Sequence, residues 1–366
     1  MNYGVDSVRY ARLVEDCRRL VEIPSVSGDE SAIADFVEAR LHEAGIDGEI
    51  RRIGDNVVLH RRGNRGQLTV IAGHLDTVPL FGADVGLMTT EDRVYGLGAT
   101  DMKAGLAVML SLAELDELDG DLSLIFYVCE EVDLSRNGLR VVMNEIPELR
   151  EADAAILMEP TSNYLEAGCQ GTLRVRVELG GTRSHSARPW MGRNAIERLH
   201  ALLTAVSTFE RREPVIDGVQ YRESLSAVRV DGGVANNVIP DTAQLWLNYR
   251  FAPDLTQEQA CERLEQYLRD HGALEEADSV VVEDVAGGAL PGLSSPVLAA
   301  LRELSIEVRA KLGWTDVSYF AAQGIPAANF GPGDPLLAHS AGEWVSTAEM
   351  YSAYATLAKL LVASEE

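Results

Sequence analysis

Two side chains with metal-ligand chemistry lie two residues apart at the end of an apolar run. In the segment VIAGHLDTVP (Val70–Pro79), the apolar residues lead to His74, and Asp76 follows two residues later. Side chains at positions i and i+2 of a strand share a face, and ligands of open α/β sheets bind at the carboxyl ends of strands. A histidine there can hold a metal through one ring nitrogen while a carboxylate accepts the proton of the other. An HxD pair by itself does not establish a metal site, so further candidate ligands must be sought in the rest of the chain.

Further acidic and histidine side chains follow apolar runs elsewhere. They are Asp101 in the Gly-rich run GLGATDMKAG, Glu130 and Glu131 after LIFYVC, Glu159 after DAAILM, and His339 after FGPGDPLLA. Each has an ordinary explanation by itself, because a carboxylate after a strand often caps a helix and a loop histidine is usually solvated. Together they place charge beside several hydrophobic strands, which is costly unless the groups are paired or bound to metal. The set therefore favours a metal centre.

The composition argues against several classes of partner. The chain has 57 acidic and 32 basic residues, a formal charge of −25, which disfavours nucleic acid and anionic membranes. No apolar run approaches the roughly 20 residues that span a bilayer, and the N-terminal pattern is that of an amphipathic helix rather than a signal peptide. The four cysteines are scattered without a CxxC motif, which predicts free thiols. We therefore expect a cytoplasmic enzyme.

The order of helical and strand patterns predicts one domain inserted into another. The first half predicts helices over Val8–Val21, Asp29–Ala44 and Met102–Leu118, and strands over Val57–Leu59, Leu68–Ala72, Leu122–Val128 and Ala154–Met158. This alternation predicts a sheet covered by helices. From Gly168 onward, alternating apolar and polar residues predict a β-α-β-β-α-β run with half-exposed antiparallel strands. We therefore predict a catalytic domain formed by residues 1–178 and 285–366, split by a domain over residues 179–284.

The motifs named above resemble those of a known family. HxDTVP, DMKxG, CEE, EPT and a late AH occur in the order found in the M20 group of dinuclear zinc amidohydrolases and peptidases, and the resemblance covers nearly the whole chain. It implies an α/β, zinc-peptidase-like catalytic domain with a mixed sheet flanked by helices. It also implies that the inserted domain is an α+β, ferredoxin-like lid and dimerisation domain, and that the protein is a homodimer.

The resemblance implies two metal sites that share one carboxylate. Asp101 would bridge the two ions, with His74 and Glu159 completing one site and Glu131 and His339 the other. Imidazole and carboxylate ligands without thiolate suit two Zn²⁺ ions, and Co²⁺ or Mn²⁺ are possible substitutes.

Other residues receive roles by the same resemblance. Glu130 would be the general base, with a further metal ligand or a cap as the alternatives, and Asp76 would orient His74. His185 in the inserted domain would donate a hydrogen bond to the oxyanion in the partner subunit's active site. Asn236 and Asn237 would contact substrate, and Arg250 would bind a substrate carboxylate, because a guanidinium pairs with carboxylates through two parallel hydrogen bonds.

The resemblance also implies a reaction. Segments such as GCQGTLRV, SHSARPWMGRNAI and KLGWTDVSYF are similar to actinobacterial succinyl-diaminopimelate desuccinylases, which implies hydrolysis of N-succinyl-LL-2,6-diaminopimelate to succinate and LL-2,6-diaminopimelate in lysine biosynthesis. Acetylornithine deacetylase, aminoacylase and di- or tripeptidase activities remain alternatives, because these enzymes share the catalytic motifs. A catalytically silent binding protein on the same fold is disfavoured by the intact set of ligands.

Overall fold

The structure is a computed structural model, and it describes residues 6–79 and 86–362 of the chain. The chain forms two units that we name the split unit and the inserted unit. The split unit comprises Met1–Ala167, Pro291–Arg309 and Tyr319–Glu366. The inserted unit comprises Gly168–Leu290 and Ala310–Ser318.

Several helices begin where the sequence places a capping side chain. In the described residues the α-helices are α1 (Ser7–Glu22), α2 (Ser31–Glu43), α3 (Ala104–Leu112), α4 (Gly138–Glu145), α5 (Ala195–Ser207), α6 (Gln257–Asp270), α7 (Pro296–Leu304), α8 (Val317–Ala322) and α9 (Thr347–Leu361). The Asp6 carboxylate accepts backbone N–H groups at the start of α1, and Thr256 and Gln259 form a reciprocal capping box at α6. The predictions for α1 and α2 are confirmed to within two residues.

The strands belong to one large sheet, one four-stranded sheet and several small ribbons. They are β1 (Glu49–Ile53), β2 (Asn56–Arg61), β3 (Leu68–His74), β4 (Met88–Thr89), β5 (Arg93–Tyr95), β6 (Asp121–Tyr127), β7 (Ala154–Leu157), β8 (Leu165–Ala167), β9 (Gly171–Gly180), β10 (Ser184–His185), β11 (Val215–Ile216), β12 (Val219–Gln220), β13 (Ser224–Gly232), β14 (Val238–Ile239), β15 (Thr242–Phe251), β16 (Ser279–Ala286), β17 (Val308–Ala310), β18 (Ala327–Asn329) and β19 (Trp344–Ser346).

The split unit is built on an eight-stranded mixed sheet in the order β1-β2-β6-β3-β7-β18-β8-β17. Strands β6, β3, β7 and β18 run parallel to their neighbours within this group, whereas β2 is antiparallel to β6 and β8 to β18. The central parallel strands are buried, as their continuous apolar sequences predict. Helix α3 is buried throughout, and its Gly105 permits close approach, since a Cβ atom there would lie 2.5 Å from the Met158 carbonyl oxygen.

Helix α3 is shorter than the sequence predicts. The apolar pattern predicts a helix to Leu118, but α3 ends at Leu112. The buried guanidinium of Arg61 on β2 donates to the carbonyl oxygens of Ala113 and Leu115 at 2.9 and 2.5 Å. These bonds satisfy carbonyl groups that the next helical turn would otherwise use, so the chain turns there.

The inserted unit has the predicted ferredoxin-like arrangement. Its elements follow the order β9-α5-β13-β15-α6-β16, and its antiparallel sheet has the strand order β13-β15-β9-β16. Alternate residues of β9 and β15 are buried with Leu199, Leu202 and Leu264 of the two helices. The predicted domain boundaries, after residues 178 and 284, fall within β9 and β16, because both strands belong wholly to this sheet.

None of the helices in the described part of the chain has both the length and the apolar character needed to cross a bilayer.

Candidate metal centre

Four neighbouring parallel strands bring the predicted ligands to one edge of the large sheet. Strand β3 ends at His74, and the turn after β6 carries Glu130 and Glu131. Glu159 follows β7 by two residues, and His339 lies in the loop after β18. Because the carboxyl ends of parallel strands meet at the same edge, residues distant in sequence become neighbours.

Asp101 reaches this edge from the loop that precedes α3. Gly98 in that loop has φ of +79°, a conformation that favours glycine, and the peptide bond between Asp101 and Met102 is cis. The backbone N–H groups of Gly98, Thr100 and Asp101 all donate to the buried carboxylate of Glu343. The Glu343 side chain therefore holds this loop in addition to the irregular helical turn Ala99–Lys103 that leads into α3.

The candidate ligands form two overlapping groups. His74, Asp101 and Glu159 form one group, and Asp101, Glu131 and His339 form the other; within each, the ligand atoms lie within 4.8 Å of one another. The Asp101 carboxylate lies between the imidazoles, with Oδ1 3.2 Å from His74 Nε2 and Oδ2 3.4 Å from His339 Nε2. The structure thus brings the five predicted ligands together around one shared carboxylate.

Asp76 contacts His74 differently from the predicted arrangement. The Nδ1 atom of His74 lies 3.0 Å from the backbone carbonyl oxygen of Asp76 and 3.6 Å from its carboxylate. The difference arises because β3 ends at His74, so the following residues leave the strand. A carbonyl oxygen only accepts, so Nδ1 carries the proton and Nε2 is left as the ligand atom.

The Asp76 carboxylate instead holds the turn that carries two acidic residues. It accepts the backbone N–H groups of Glu130 and Glu131 at 3.0 and 3.1 Å and the Ser27 hydroxyl at 2.7 Å. In the same turn Cys129 has φ of +59°, and its N–H donates to the buried carboxylate of Glu30 at 3.1 Å. Two buried carboxylates therefore fix a strained turn.

Glu130 lies beside the two groups and can serve more than one role. It is half-buried, and its carboxylate forms a further group with the His74 imidazole and the Glu131 carboxylate within the same 4.8 Å limit. This position suits a general base next to a metal ion and also suits a metal ligand. The base role of Glu130 stays a prediction.

The carboxylates at this edge of the sheet raise the pKa values of both imidazoles. Burial lowers the pKa of His74, but the hydrogen bond with Asp101 and the charge of Asp76 outweigh burial and raise that pKa well above its usual value. Hydrogen bonds with Asp101 and Glu131 raise the pKa of His339 to about 10. Burial would raise the pKa of Asp101, whereas hydrogen bonds from the imidazoles lower it. A site so rich in carboxylates, with two imidazoles and no thiolate in either group, fits divalent cations.

Among the predicted site residues of the inserted unit, His185 lies with Asn236 and Asn237, whereas Arg250 lies on a different strand. His185 on β10 pairs with Val238 on β14, and the Ser186 N–H donates to the Asn237 carbonyl oxygen, so His185 lies beside the exposed Asn236–Asn237 turn. His185 Nδ1 accepts the N–H of Ala187 at 3.0 Å. The neutral ring therefore carries its proton on Nε2, which is available as a donor.

Arg250 lies near the end of β15 and is half-buried. Burial lowers the pKa of its guanidinium, and the neighbouring charge of Arg174 lowers it further. Among the described residues, no carboxylate forms an ion pair with Arg250, although Arg174 lies 3.4 Å from Asp284. The guanidinium is thus a partly desolvated cation within the inserted unit.

Sequence reasoning gave no role to Glu343 or Glu30, although each buried carboxylate fixes a loop of the site. Most of their partners are backbone N–H groups, which carry no side-chain signature. The exception is the Cys129 thiol, which also donates to Glu30. The partners of Glu343 are also 242 to 245 residues away in the chain. The sequence shows only that Glu343 is an acidic residue four positions after His339; its burial is visible only in the structure.

The raised pKa values predict proton release on metal binding. With a pKa of about 10, His339 is protonated at pH 7.5 in the metal-free protein, and His74 also has a raised pKa. Metal binding requires neutral imidazoles, so we expect the two imidazoles alone to release about two protons per chain at pH 7.5, and fewer as the pH rises through 10. A metal-bound water with a pKa of about 7 would add to this number. Calorimetric titration with zinc in buffers of different ionisation enthalpy measures this number.

The variant His60→Gln is the control, because His60 bonds Ser123 on β6 and belongs to neither ligand group. It should release the same number of protons as the unmodified protein. Zinc binding without net proton uptake by the buffer would contradict the protonation states assigned to His74 and His339.

Comparison with known proteins identifies the family of the chain. A Mycobacterium tuberculosis protein provisionally named succinyl-diaminopimelate desuccinylase DapE is 48% identical over 351 residues, covering 95% of this chain and 97% of the relative. The Corynebacterium glutamicum succinyl-diaminopimelate desuccinylase is 46% identical over 334 residues, covering 89% of each chain.

Solved structures share the fold at low sequence identity. Aminopeptidase PepT from Bacillus cereus has a TM-score of 0.77 at 17% identity, covering 96% of this chain and 98% of its own. The Bacillus subtilis YXEP protein, described as a dinuclear metal binding peptidase from the M20 family, has a TM-score of 0.71 at 18% identity, covering 97% and 98%. The model of peptidase family M20/M25/M40 matches residues 70–363. The chain belongs to this peptidase family.

Proposed function

We propose that the protein hydrolyses N-succinyl-LL-2,6-diaminopimelate to succinate and LL-2,6-diaminopimelate, in the biosynthesis of lysine. The observation that carries the proposal is the pair of ligand groups that share Asp101, with Glu130 beside them. The substrate is inferred from the relatives that are 46–48% identical over most of the chain.

Two Zn²⁺ ions fit the two groups best, with Co²⁺ or Mn²⁺ as possible substitutes. Asp101 is the shared ligand, His74 and Glu159 belong to one site, and Glu131 and His339 to the other. When bound, such ions lower the pKa of a water molecule to about 7 and polarise a carbonyl group. Cys129 directly precedes Glu130 in the sequence. Its Sγ donates to Glu30 at 3.3 Å, so it is not assigned as a metal ligand.

Glu130 acts as the general base of the proposed reaction. Its carboxylate removes a proton from the attacking water, whose oxygen forms the new bond to the succinyl carbonyl carbon. When the amide C–N bond breaks, Glu130 returns that proton to the leaving amine, so succinate and a free amine result. The Asp76 carboxylate supports this role because it holds the backbone N–H of Glu130 at 3.0 Å.

His185 stabilises the oxyanion that develops on the carbonyl oxygen. Its Nδ1 accepts from Ala187, so its Nε2–H is the donor. Removing one such donor costs about 2.7–4 kcal/mol of transition-state stabilisation in other hydrolases. In the proposed scheme His185 acts in the active site of the second subunit.

Arg250 binds a carboxylate of the substrate. A half-buried guanidinium without an ion pair among the described residues favours an anionic ligand, whereas the neighbouring Arg174 is already paired with Asp284. Local positive charge is needed here, because the net charge of −25 repels an anionic substrate at long range. Asn236 and Asn237, exposed in the turn beside His185, supply further polar contacts.

We infer that the inserted unit forms a homodimer through the edge strand β13. Among the described residues this strand pairs only with β15, and Val228 and Val230 are 63% and 59% exposed. Ile196 and Leu203 on α5 are each 43% exposed, and α5 packs beside β13. An unpaired apolar edge favours pairing with a second copy of the strand.

Substrate comparison tests the proposed reaction. We expect the zinc-loaded enzyme to have a higher kcat/KM for N-succinyl-LL-2,6-diaminopimelate than for N²-acetylornithine. Glu130→Gln should lower kcat by about 10²–10⁴-fold, because it removes the proton acceptor. A preference for N²-acetylornithine would instead indicate an acetylornithine deacetylase. If the metal-loaded protein hydrolyses neither compound, the proposed reaction is contradicted.

A second prediction concerns substrate affinity. Arg250→Lys should raise KM by about 10-fold or more with little change in kcat, because a hydrogen bond to a charged group contributes about 1.5–3 kcal/mol. The matched control is Arg176→Lys on β9, where the arginine pairs with Glu178 and Glu283. An unchanged KM in Arg250→Lys would remove Arg250 from the binding role.

A third prediction concerns assembly. The unmodified protein should sediment at about twice the 39.8 kDa mass of one chain, and Val230→Asp should shift it toward the monomer. Val215→Asp is the control, because Val215 is 65% exposed on β11, outside the four-stranded sheet. A monomeric unmodified protein, or a dimer unaffected by Val230→Asp, would contradict the proposed interface.

A further inference from the structure

Glu343 is one of the most buried carboxylates in the split unit. It is 2% exposed, and its two oxygens accept three backbone N–H groups. Oε2 accepts from Gly98 at 2.8 Å, and Oε1 accepts from Thr100 at 2.7 Å and from Asp101 at 2.9 Å. A buried carboxylate is costly unless such bonds replace its hydration, so the loop and Glu343 depend on each other.

The same two segments are joined by backbone contacts. The Gly96 N–H donates to the Glu343 carbonyl oxygen at 3.0 Å, and the Thr100 hydroxyl donates to the Trp344 carbonyl oxygen at 2.6 Å. Strand β19 then pairs with β5 in antiparallel register. The segment that begins at His339 is therefore tied to the loop that carries Asp101.

The Asp101 loop includes one irregular helical turn, Ala99–Lys103, whose backbone angles are non-helical at Asp101 and Met102. It contains the left-handed Gly98 and lies between β5 and α3. Asp101 belongs to both ligand groups, so a shift of this backbone moves a ligand of each site at once. Catalytic and metal sites lose function when ligands move by a few tenths of an ångström to 1 Å.

We propose that Glu343 is a positioning residue of the metal centre, which sets the Asp101 carboxylate where both metal sites use it. This inference rests on the proposed metal-dependent hydrolysis. Glu343 belongs to neither of the two ligand groups, and it acts through the backbone of residues 98–101. Glu343 lies four residues after His339 and binds the loop that carries Asp101. It therefore links the positions of these two candidate ligands.

Glu343→Gln is the direct test, because it keeps the size of the side chain and replaces one accepting oxygen with an NH₂ group. That NH₂ faces backbone N–H donors and cannot accept from them. We expect the affinity for zinc, measured by competition with a chromophoric chelator, to fall about 10- to 100-fold for both equivalents. The value of kcat at saturating zinc should also fall.

Two further variants make the result interpretable. Asp278→Asn in the inserted unit removes a comparable carboxylate, which accepts the N–H groups of Gly180 and Glu275 and pairs with Arg198. It should lower the melting temperature without changing zinc affinity. Glu343→Asp keeps the charge with a shorter reach, and it replaces Glu343→Gln if circular dichroism shows that the latter is unfolded.

The outcomes separate this inference from the function on which it rests. Weakened zinc binding in folded Glu343 variants, with unchanged affinity in Asp278→Asn, supports the positioning role. Folded Glu343 variants with zinc affinity and kcat of the unmodified protein overturn the positioning role and leave the proposed function intact. An unmodified protein that binds no zinc overturns both.

Discussion

The fold must hold several carboxylates a few ångströms apart at one edge of a buried sheet. Two like charges 4 Å apart repel by about 4 kcal/mol at an effective dielectric constant of 20, and the ligand oxygens of Glu131 and Glu159 each lie within 4.8 Å of Asp101. Repulsion of this size opposes folding unless positive charge offsets it. In the metal-free protein the raised pKa values of His74 and His339 provide that charge as imidazolium. Divalent cations would offset the repulsion more fully, so metal binding and stability are linked.

A second layer of buried carboxylates holds the loops on which the ligands lie. Asp76 accepts two N–H groups of the turn after β6, Glu30 accepts the Cys129 N–H in the same turn, and Glu343 accepts three from the Asp101 loop. Parallel strands bring the loops to one edge, but strands alone do not fix residues beyond their ends. Charged acceptors make strong hydrogen bonds when they are buried, so a few side chains achieve that positioning.

The sequence predicts the strands, which have a regular apolar pattern, and the ligand residues, which lie in recognisable motifs. Continuous apolar strands, the alternating β9 and β15, and the order β-α-β-β-α-β led to the mixed sheet and the ferredoxin-like insertion, and both are confirmed. Ligand residues that directly follow strands were also identifiable. The role of Glu343 was not, because its partners are backbone groups more than 240 residues away. The end of α3 was missed for a similar reason, since Arg61 comes from a distant strand.

Anomalous X-ray diffraction at the zinc edge, from crystals of the zinc-loaded protein, would locate the ions relative to Asp101. The shared-carboxylate arrangement predicts two peaks, one on either side of the Asp101 carboxylate. One peak should lie against His74 and Glu159, and the other against Glu131 and His339. A single peak, or two peaks that do not share Asp101, would contradict it.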